Sequence, residues 1–481
     1  MVHGLDASNI AQGNTFYDQA EHLVGRCDFV MANPPFNVDG VDTKKAATQV
    51  GEGLRLPFGL PGTNAKTGAI SNANSLWIQY FYSYLNDTGR AGFVMASSAS
   101  DAGNKDRDIR EQLVKSGHVD VMVAIGTKFF YTRSLPCTLW FFDKGKPEDL
   151  QDQVLMIDAR NVYHVVSARS HVFTDEQLAN LTAITWLYRG QTEKFVALVG
   201  RYQRQVDEWV ATLPARVQAD TATVAALLKT LRAFAEGVTL AELNEGLDEA
   251  AHIAPAALEA FRAELAQAMA ATEVSTAIAS TLKTCKRARA AIADTDPASH
   301  ASQVKLQAVL DPLAAPLKAL AKVLEARHKQ ALQSLERAEK TLRARSSPAW
   351  DGKAAREARR ALLAADARKS EPATVCDQVL GALKQAVYFI HQGHWLHSRF
   401  RDGVYDDVPG LCKAVTVDDI AANDWSLTPG RYVGVAASGV EDDEEEFAEK
   451  LREIHDELAE LTETAADLAG RITQNLEGLL A

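Results

Sequence analysis

Paired cysteines, long apolar runs and an excess of positive charge are all missing from this sequence. The five cysteines form no CxxC pair, which argues against a disulfide framework and a cysteine zinc site and fits a reducing compartment. They are Cys27, Cys137, Cys285, Cys376 and Cys412. No stretch approaches the roughly 20 apolar residues of a membrane span, and the opening MVHGLDASNIAQG lacks the apolar segment of a signal peptide. We therefore expect a cytoplasmic protein with no membrane partner.

The balance of charged residues limits how the chain can bind nucleic acid. Its 63 acidic and 51 basic residues leave a formal net charge of -12. Contact with DNA must then come from a local basic patch or from a partner. The stretch KAAREARRALLAADARK at 353–369 is the best candidate for contacting a DNA backbone, and a solvated helix face is the alternative interpretation.

The first 172 residues alternate between strand-like and helix-like segments. CDFVMA, AGFVMAS, VDVMVAIG, CTLWFFDKG and VLMIDAR are short apolar runs typical of strands. SNANSLWIQYFYSYL and NKDRDIREQLVKSG, which separate the first three, predict helices. This order is typical of a parallel sheet with crossover helices. The third and fourth runs follow each other too closely for a crossover, so we expect an antiparallel pair at one edge of the sheet.

The amino-acid composition changes twice after residue 172. Residues 174–345 are rich in Ala, Leu, Glu, Lys and Arg with apolar residues at helical spacing, which predicts a helical bundle. A strip rich in Pro and Gly follows and ends near 435. From Phe447 to Ile472 apolar residues recur in steps of three and four, so the acidic C-terminal segment predicts a heptad helix. Such a helix suits docking onto another chain, and packing on its own domain is the alternative.

The segment Asn33-Pro34-Pro35-Phe36 follows the first strand and is suited to holding an amino group. The Asn33 side chain and the Pro34 carbonyl offer two acceptors in a stiff turn, because prolines restrict the backbone. Two acceptors that face one planar amine can accept both of its protons. Phe36 supplies an apolar face for a flat ring. The chemistry therefore points to an exocyclic amine on an aromatic base that has been flipped out of its stack.

This motif resembles the catalytic motif of amino-group DNA methyltransferases, and its Phe is typical of the adenine-N6 enzymes. A related Asn-Pro-Pro-Tyr occurs in enzymes that methylate glutamine amides or RNA. HGLDASNIAQGNTF, KFFYTRSLPCTLWFFDKGK and DGVYDDVPGLCKAV…DIAANDWSLTPGRYVGV extend the resemblance to the modification (M) subunits of type I restriction-modification systems. The resemblance covers about 1–200 and 350–481. Residues 205–345 look like an insertion, for which the sequence suggests no function.

The resemblance implies methyl transfer from S-adenosylmethionine to adenine N6, with DNA, a specificity subunit and a restriction subunit as partners. Asn33, Pro34, Pro35 and Phe36 are then the catalytic residues. Phe129, Phe130 and Tyr131 fall where the family places aromatic residues that contact the base, and ordinary packing is an equal alternative. Asn14 falls where these enzymes carry an acidic residue beside the cofactor or base, and it carries no charge.

The glycine-rich cofactor turn of such enzymes has no counterpart before Asn33. We therefore expect the C-terminal part of a Rossmann-like methyltransferase sheet without strands 1 and 2, which leaves the CDFVMA strand with an unpaired edge. A second M subunit or a separate N-terminal half is then a further candidate partner. The competing function is a non-catalytic assembly module that docks to the specificity subunit.

The resemblance also suggests a division of the chain. We predict a partial methyltransferase domain at 1–172, a helical insertion at 173–352, a helical and turn-rich region at 353–440 and an acidic heptad helix for subunit docking at 441–481. HQGHWLH spaces His391, His394 and His397 three apart, but no carboxylate or cysteine pattern accompanies them, so we predict structural histidines and no metal.

Overall fold

A computed structural model describes residues 12–18, 20–130, 135–167, 170–249, 252–270, 272–363, 365 and 372–435. The chain divides into two units. The first comprises residues up to 172 together with those from 407 onward, and the second comprises 173–406. The heptad segment 441–481 and Tyr131 lie outside the described residues. The division into four domains stays a prediction.

The first unit is an α/β structure built on a mixed sheet. Its strands are β1 (Cys27–Ala32), β2 (Leu85–Ala96), β3 (Val119–Ile125), β4 (Cys137–Asp143), β5 (Gln153–Asp158) and a later strand, β8 (Cys412–Thr416). A separate two-stranded hairpin consists of β6 (His164–Ser167) and β7 (Ser170–Val172). All five apolar runs that predicted strands form strands.

The strand order is β1-β2-β4-β3-β5-β8. β1 runs parallel to β2 and β3 parallel to β5, whereas β4 and β8 run antiparallel to their neighbours. The expected antiparallel pairing of β3 with β4 is confirmed. Its expected place at a sheet edge is wrong, because β5 and β8 extend the sheet beyond β3. The sheet as a whole is mixed, whereas the alternation of strand-like and helix-like segments predicted a parallel sheet.

Helices of the first unit cover one face of this sheet. They are α1 (Thr43–Ala47), α2 (Asn74–Tyr84), α3 (Lys105–Lys115) and α13 (Val417–Ala422). α3 ends where the backbone turns at Gly117, whose φ of 76° suits glycine. Ten of the 11 residues of α2 are buried, so this aromatic helix lies inside the core rather than at the surface.

The second unit is entirely helical in its described elements. They are α4 (Asp175–Tyr188), α5 (Thr192–Gly237), α6 (Leu240–Asn244), α7 (Pro255–Met269), α8 (Thr272–Ala293), α9 (His300–Leu310), α10 (Ala314–Lys340), α11 (Gly352–Leu362) and α12 (Val375–Arg399). Thr174 and Thr374 form capping boxes that begin α4 and α12. The described part of the chain contains no helix long and apolar enough to cross a membrane.

Candidate functional site

The Asn33–Phe36 segment leaves the carboxyl end of β1, which is an outer strand of the sheet. Because β2, β3 and β5 run in the same direction as β1, the segments that follow all four strands meet at one edge of the sheet, where ligands bind in open α/β sheets. The structure therefore places the motif at the edge that the sequence predicted.

The two acceptors of the motif are free within the described part of the chain. The Asn33 side chain is exposed and neither it nor the Pro34 carbonyl takes part in a hydrogen bond with another described residue. The Pro34 ring is buried, which anchors the turn, while Pro35 is exposed. A rigid turn with two unused acceptors is a suitable receptor for an amino group.

Asn37 and Asn74 stabilise the turn that follows the motif. The Asn37 backbone N–H donates to Asn74 Oδ1 at 3.0 Å, and Asn74 Nδ2 donates to Asn37 Oδ1 at 2.9 Å. Asn72 Nδ2 donates to the same Asn37 oxygen at 3.0 Å. Asn37 has a φ of 54°, a left-handed conformation that asparagine tolerates better than most residues. The sequence reasoning missed this pair, although the density of asparagine in SNANS was an available signal.

Phe36 meets one of the three candidate aromatic residues. Its half-buried ring contacts Phe130 edge to face, with 6.1 Å between centroids and 79° between planes. Phe129 turns instead to His171 of β7, with its ring centroid 6.3 Å from the imidazole centroid. The structure thus brings Phe36 and Phe130 together and directs Phe129 to a different neighbour. It supplies no placement for Tyr131.

The β6–β7 hairpin supports the loop that carries these aromatic residues. The His171 backbone N–H donates to the Lys128 carbonyl at 3.0 Å, and the His171 ring stacks on Tyr163 at 4.1 Å with 4° between planes. Lys128 itself has a φ of 70°. The hairpin therefore fixes the loop after β3 from outside the main sheet, a role that no sequence motif indicated.

Asn14 lies in an exposed turn whose polar groups are used locally. Its side-chain oxygen accepts the Phe16 N–H at 3.0 Å, and its carbonyl accepts the N–H groups of Tyr17 and Asp18. Phe16 is buried against Trp77, with 4.6 Å between ring centroids. The structure therefore gives Asn14 a turn-forming role, and its contact with a cofactor stays a prediction.

Arg55 anchors this turn from the loop after α1, and sequence reasoning missed it as well. Its guanidinium is 1% exposed and donates to the Thr15 carbonyl at 2.8 Å, to Tyr84 Oη at 2.7 Å and to Gln49 Oε1 at 3.2 Å. It also lies over the Tyr80 ring at 3.9 Å. Burial raises the pKa of Tyr80 to about 12 even though the cation opposes this shift.

No group of three or more histidines, cysteines or carboxylates in the described ranges could hold a metal ion. His394 Nδ1 lies 2.9 Å from Asp311 Oδ2. His397 is buried between His300 and Phe195, and burial lowers its pKa to about 4. His394 and His397 of the HQGHWLH segment therefore lie in separate environments with different neighbours.

Comparison with known proteins finds similarity in the N-terminal part of the chain. Residues 1–220 match the sequence model of the N-6 DNA methylase family. The MjaIX methylase subunit of a type I restriction enzyme from Methanocaldococcus jannaschii is 36% identical over 189 residues, which are 38% of this chain and 33% of that protein. The HindI methylase subunit from Haemophilus influenzae is 26% identical over 181 residues, 37% of this chain and 38% of that protein.

The chain thus spans about a third of the length of these curated relatives. Among solved structures, a type I restriction-modification methyltransferase subunit from Streptococcus thermophilus aligns with 21% identity and a TM-score of 0.28, over 33% of this chain and 31% of that one. The relatives confirm the resemblance that the Asn33–Phe36 motif suggested: over 181 to 189 residues, this chain is similar to methylase subunits of type I restriction enzymes.

Proposed function

We propose that this chain supplies the base-binding part of a DNA adenine-N6 methyltransferase within a type I restriction-modification system. The observation that carries the proposal is the turn after β1, where the Asn33 side chain and the Pro34 carbonyl are unused acceptors beside the Phe36–Phe130 ring pair. Residues 1–220 match the N-6 DNA methylase family, and this match supports an amino nitrogen on a DNA base as the target.

In this mechanism an adenine leaves the duplex stack and enters the site with its amino group towards Asn33. The Asn33 side-chain oxygen and the Pro34 carbonyl accept the two N–H bonds. These two hydrogen bonds favour a tetrahedral amino nitrogen, whose lone pair is no longer delocalised into the ring. Phe36 stacks on the base, and Phe130 supports Phe36 through their edge-to-face contact. Each residue binds and orients the base.

S-adenosylmethionine, the methyl donor implied by the family, does not fit the residues described here. Between residues 12 and 26 the described chain contains no strand that ends in a glycine-rich turn, which such a cofactor requires. We propose that the chain alone neither binds the cofactor nor methylates DNA. Calorimetric titration of the purified chain with S-adenosylmethionine tests this, and micromolar affinity contradicts it.

The outer edge of β1 is the proposed place for the cofactor-binding segment, wherever that segment is encoded. Among the described strands β1 pairs with β2 alone, and its Phe29 and Met31 side chains are 75% and 90% exposed. By the register of the strands, these side chains share a face with the half-buried Val94, Leu139 and Phe141. Strand pairing at this edge and a helix over this face complete the sheet, because sheets with parallel strands are normally covered on both faces.

We further propose that the specificity subunit docks on the acidic heptad segment 441–481, while the restriction subunit joins the same cytoplasmic complex. Sequence recognition then resides mainly in the complex, which agrees with the net charge of -12 on this chain. Deletion of 441–481 is expected to abolish co-purification with the specificity subunit. Unchanged assembly of the deleted chain contradicts the docking role.

Methylation by the reconstituted complex tests the catalytic role directly. Asn33→Ala is expected to abolish transfer of labelled methyl groups to adenine and to leave subunit assembly intact. Asn161→Ala, an exposed asparagine in the turn after β5, is the matched control and should retain activity. If Asn33→Ala methylates as well as wild type, the competing role as a non-catalytic assembly module is supported instead.

A further inference from the structure

A basic surface lies on the helical unit of a chain that is acidic as a whole. Residues 343–360 contain six basic and two acidic residues, whereas the whole chain has a net charge of -12. One of the two carboxylates, that of Asp351, accepts the backbone N–H groups of Lys353 and Ala354 and so caps the start of α11. This surface belongs to the second unit, whereas the Asn33–Phe36 turn belongs to the first.

The two faces of α11 differ in character. Its buried residues recur at helical spacing and pack in the apolar core of the unit; they are Ala355, Ala358 and Leu362. Its exposed basic residues recur on the other face; they are Lys353, Arg356 and Arg360. None of these three basic side chains forms an ion pair with another described residue. Because the apolar face is already buried, α11 cannot insert into a lipid surface, which requires an exposed apolar face.

Next to this face, two arginines share a single carboxylate. The Glu339 side chain of α10 is 8% exposed, and its Oε2 accepts Arg345 Nη2 at 2.8 Å and Arg359 Nη2 at 2.6 Å. Burial alone would raise the pKa of Glu339, but the hydrogen bonds from Arg345 and Arg359 lower it, so the carboxylate is charged at neutral pH. One negative charge therefore meets two positive charges, and an excess of positive charge remains.

The backbone after α10 brings Arg345 to this position. Arg343 has a φ of 54°, a left-handed conformation that redirects the chain, and a short 3-10 turn at Ala344–Ser346 follows. The Arg345 and Arg359 side chains remain 67% and 33% exposed. Among the described residues both donate only to Glu339, so most of the five N–H donors of each guanidinium stay available to a ligand.

Adjacent guanidinium groups with an excess of charge are suited to phosphate. Their planar N–H forks match two phosphate oxygens, and like charges held side by side favour a bound anion. The exposed face of α11 extends the positive charge over about 10 Å from Lys353 to Arg360. Duplex DNA presents about six charges over that length. The surface therefore fits a polyanion better than a single small anion.

We propose that Arg345, Arg359 and the exposed basic face of α11 bind the phosphodiester backbone of double-stranded DNA. The choice of DNA rests on the proposed function, whereas the positive surface itself does not. Contacts to phosphates carry no sequence information directly, so this surface holds the helical unit on DNA of any sequence. The proposal gives a role to a helical segment for which the sequence suggested none.

Fluorescence anisotropy with the purified full-length chain and a labelled duplex of about 20 base pairs tests the surface. The affinity should fall with salt and be equal for two duplexes of unrelated sequence. The double substitution Arg356→Gln and Arg360→Gln should lower the affinity about tenfold. It should also reduce the slope of log K against log salt by about 2, because two phosphate contacts are lost.

The double substitution Arg201→Gln and Arg204→Gln is the matched control. It removes the same charge from exposed positions of α5, near the opposite end of that helix from Phe234, which contacts Trp350 just before α11. This variant should keep the wild-type affinity and slope. Equal losses in the two double variants overturn the proposal, because net charge alone then explains binding. Wild-type affinity in the Arg356→Gln and Arg360→Gln variant overturns it as well.

A single substitution tests the shared carboxylate. Arg345→Gln leaves Glu339 paired with Arg359 and removes the excess charge, so the slope should fall by about 1. Lys384→Gln is the control, because the Lys384 side chain is also 67% exposed and pairs with Glu325 of α10, and it should keep the wild-type slope. Equal slopes for Arg345→Gln and wild type refute a phosphate contact at the shared carboxylate.

Competition experiments identify the class of ligand. An RNA duplex or an oligoglutamate peptide that displaces the labelled DNA more effectively than unlabelled DNA does overturns the assignment of DNA. Binding is measured without S-adenosylmethionine and without methyl transfer. Its loss is therefore distinguishable from the loss of methylation expected for Asn33→Ala.

Discussion

Asn74, at the start of α2, forms a reciprocal hydrogen-bonded pair with Asn37, the residue that follows the Asn33–Phe36 motif. One bond uses the Asn37 backbone N–H and the other uses its side-chain oxygen, at 3.0 and 2.9 Å. Asn74 is 4% exposed whereas Asn37 is exposed, so both bonds are partly buried. The geometry of the turn after the Asn33–Phe36 motif therefore depends on a residue 37 positions further along the chain.

The first prediction concerns this pair. Asn74→Ala leaves the Asn37 N–H without its acceptor, so the free energy of unfolding should fall by about 1–3 kcal/mol. Amide hydrogen exchange across 33–37 should accelerate at the same time. Asn161→Ala changes an exposed asparagine in the turn after β5 and is the control, expected to cost less than about 0.5 kcal/mol. Equal effects of the two substitutions would show that Asn74 has no special role.

The second prediction concerns Arg55. Arg55→Met keeps much of the side-chain volume but leaves the Thr15 carbonyl, Tyr84 hydroxyl and Gln49 oxygen without their donor. We expect a loss of about 2–4 kcal/mol in the free energy of unfolding, measured with urea. Arg26→Met, at an exposed position before β1, should change it by less than about 0.5 kcal/mol. A small effect of Arg55→Met would refute the anchoring role.

The third prediction is an acid sensitivity of the helical unit. His397 is 7% exposed, and burial lowers its pKa to about 4, while the groups around it are His300, Asp311 and His394. The unfolded chain takes up a proton on this residue near pH 6.5, and the folded unit does so only near pH 4. The free energy of unfolding should therefore fall as the pH decreases through this window, by up to about 3 kcal/mol.

Urea titrations between pH 7 and pH 4 measure this dependence. His397→Gln cannot be protonated, so its free energy of unfolding should depend less steeply on pH over the same window. His252→Gln, which alters an exposed histidine elsewhere in the unit, should keep the wild-type slope. Parallel slopes for the wild-type and His397→Gln proteins would exclude His397 as the source.

The fourth prediction concerns the free edge of the sheet. Phe29→Lys and Met31→Glu replace two exposed apolar side chains of β1 and should reduce self-association of the purified chain, because charges on an edge strand oppose strand pairing. Sedimentation velocity measures the effect. Leu178→Glu changes a side chain of α4 that is 54% exposed and should leave self-association unchanged. Identical behaviour of edge and control variants would show that the edge is not the associating surface.

Local pattern was sufficient for much of the fold, whereas the role of the Asn33–Phe36 motif stays a prediction. Apolar runs predicted β1 to β5, and β1 ends directly before the stiff Asn33–Phe36 turn. The short connection between β3 and β4 predicted their antiparallel pairing. These inferences succeeded because hydrophobic period, proline geometry and loop length act over a few residues.

Tertiary structure decided what depends on residues distant in the chain. The pairing of β5 with β3 places the β3–β4 pair inside the sheet, and β8 joins β5 from more than 250 positions away to form the new edge. The Asn37–Asn74 pair, the support of Lys128 by His171 and the pairing of Asp220 with His328 arise in the same way. Each depends on side chains whose separation in sequence is large, so no local period records it. The sequence by itself determined the elements and the position of the Asn33–Phe36 motif, whereas long-range packing determined which residues hold that motif in place.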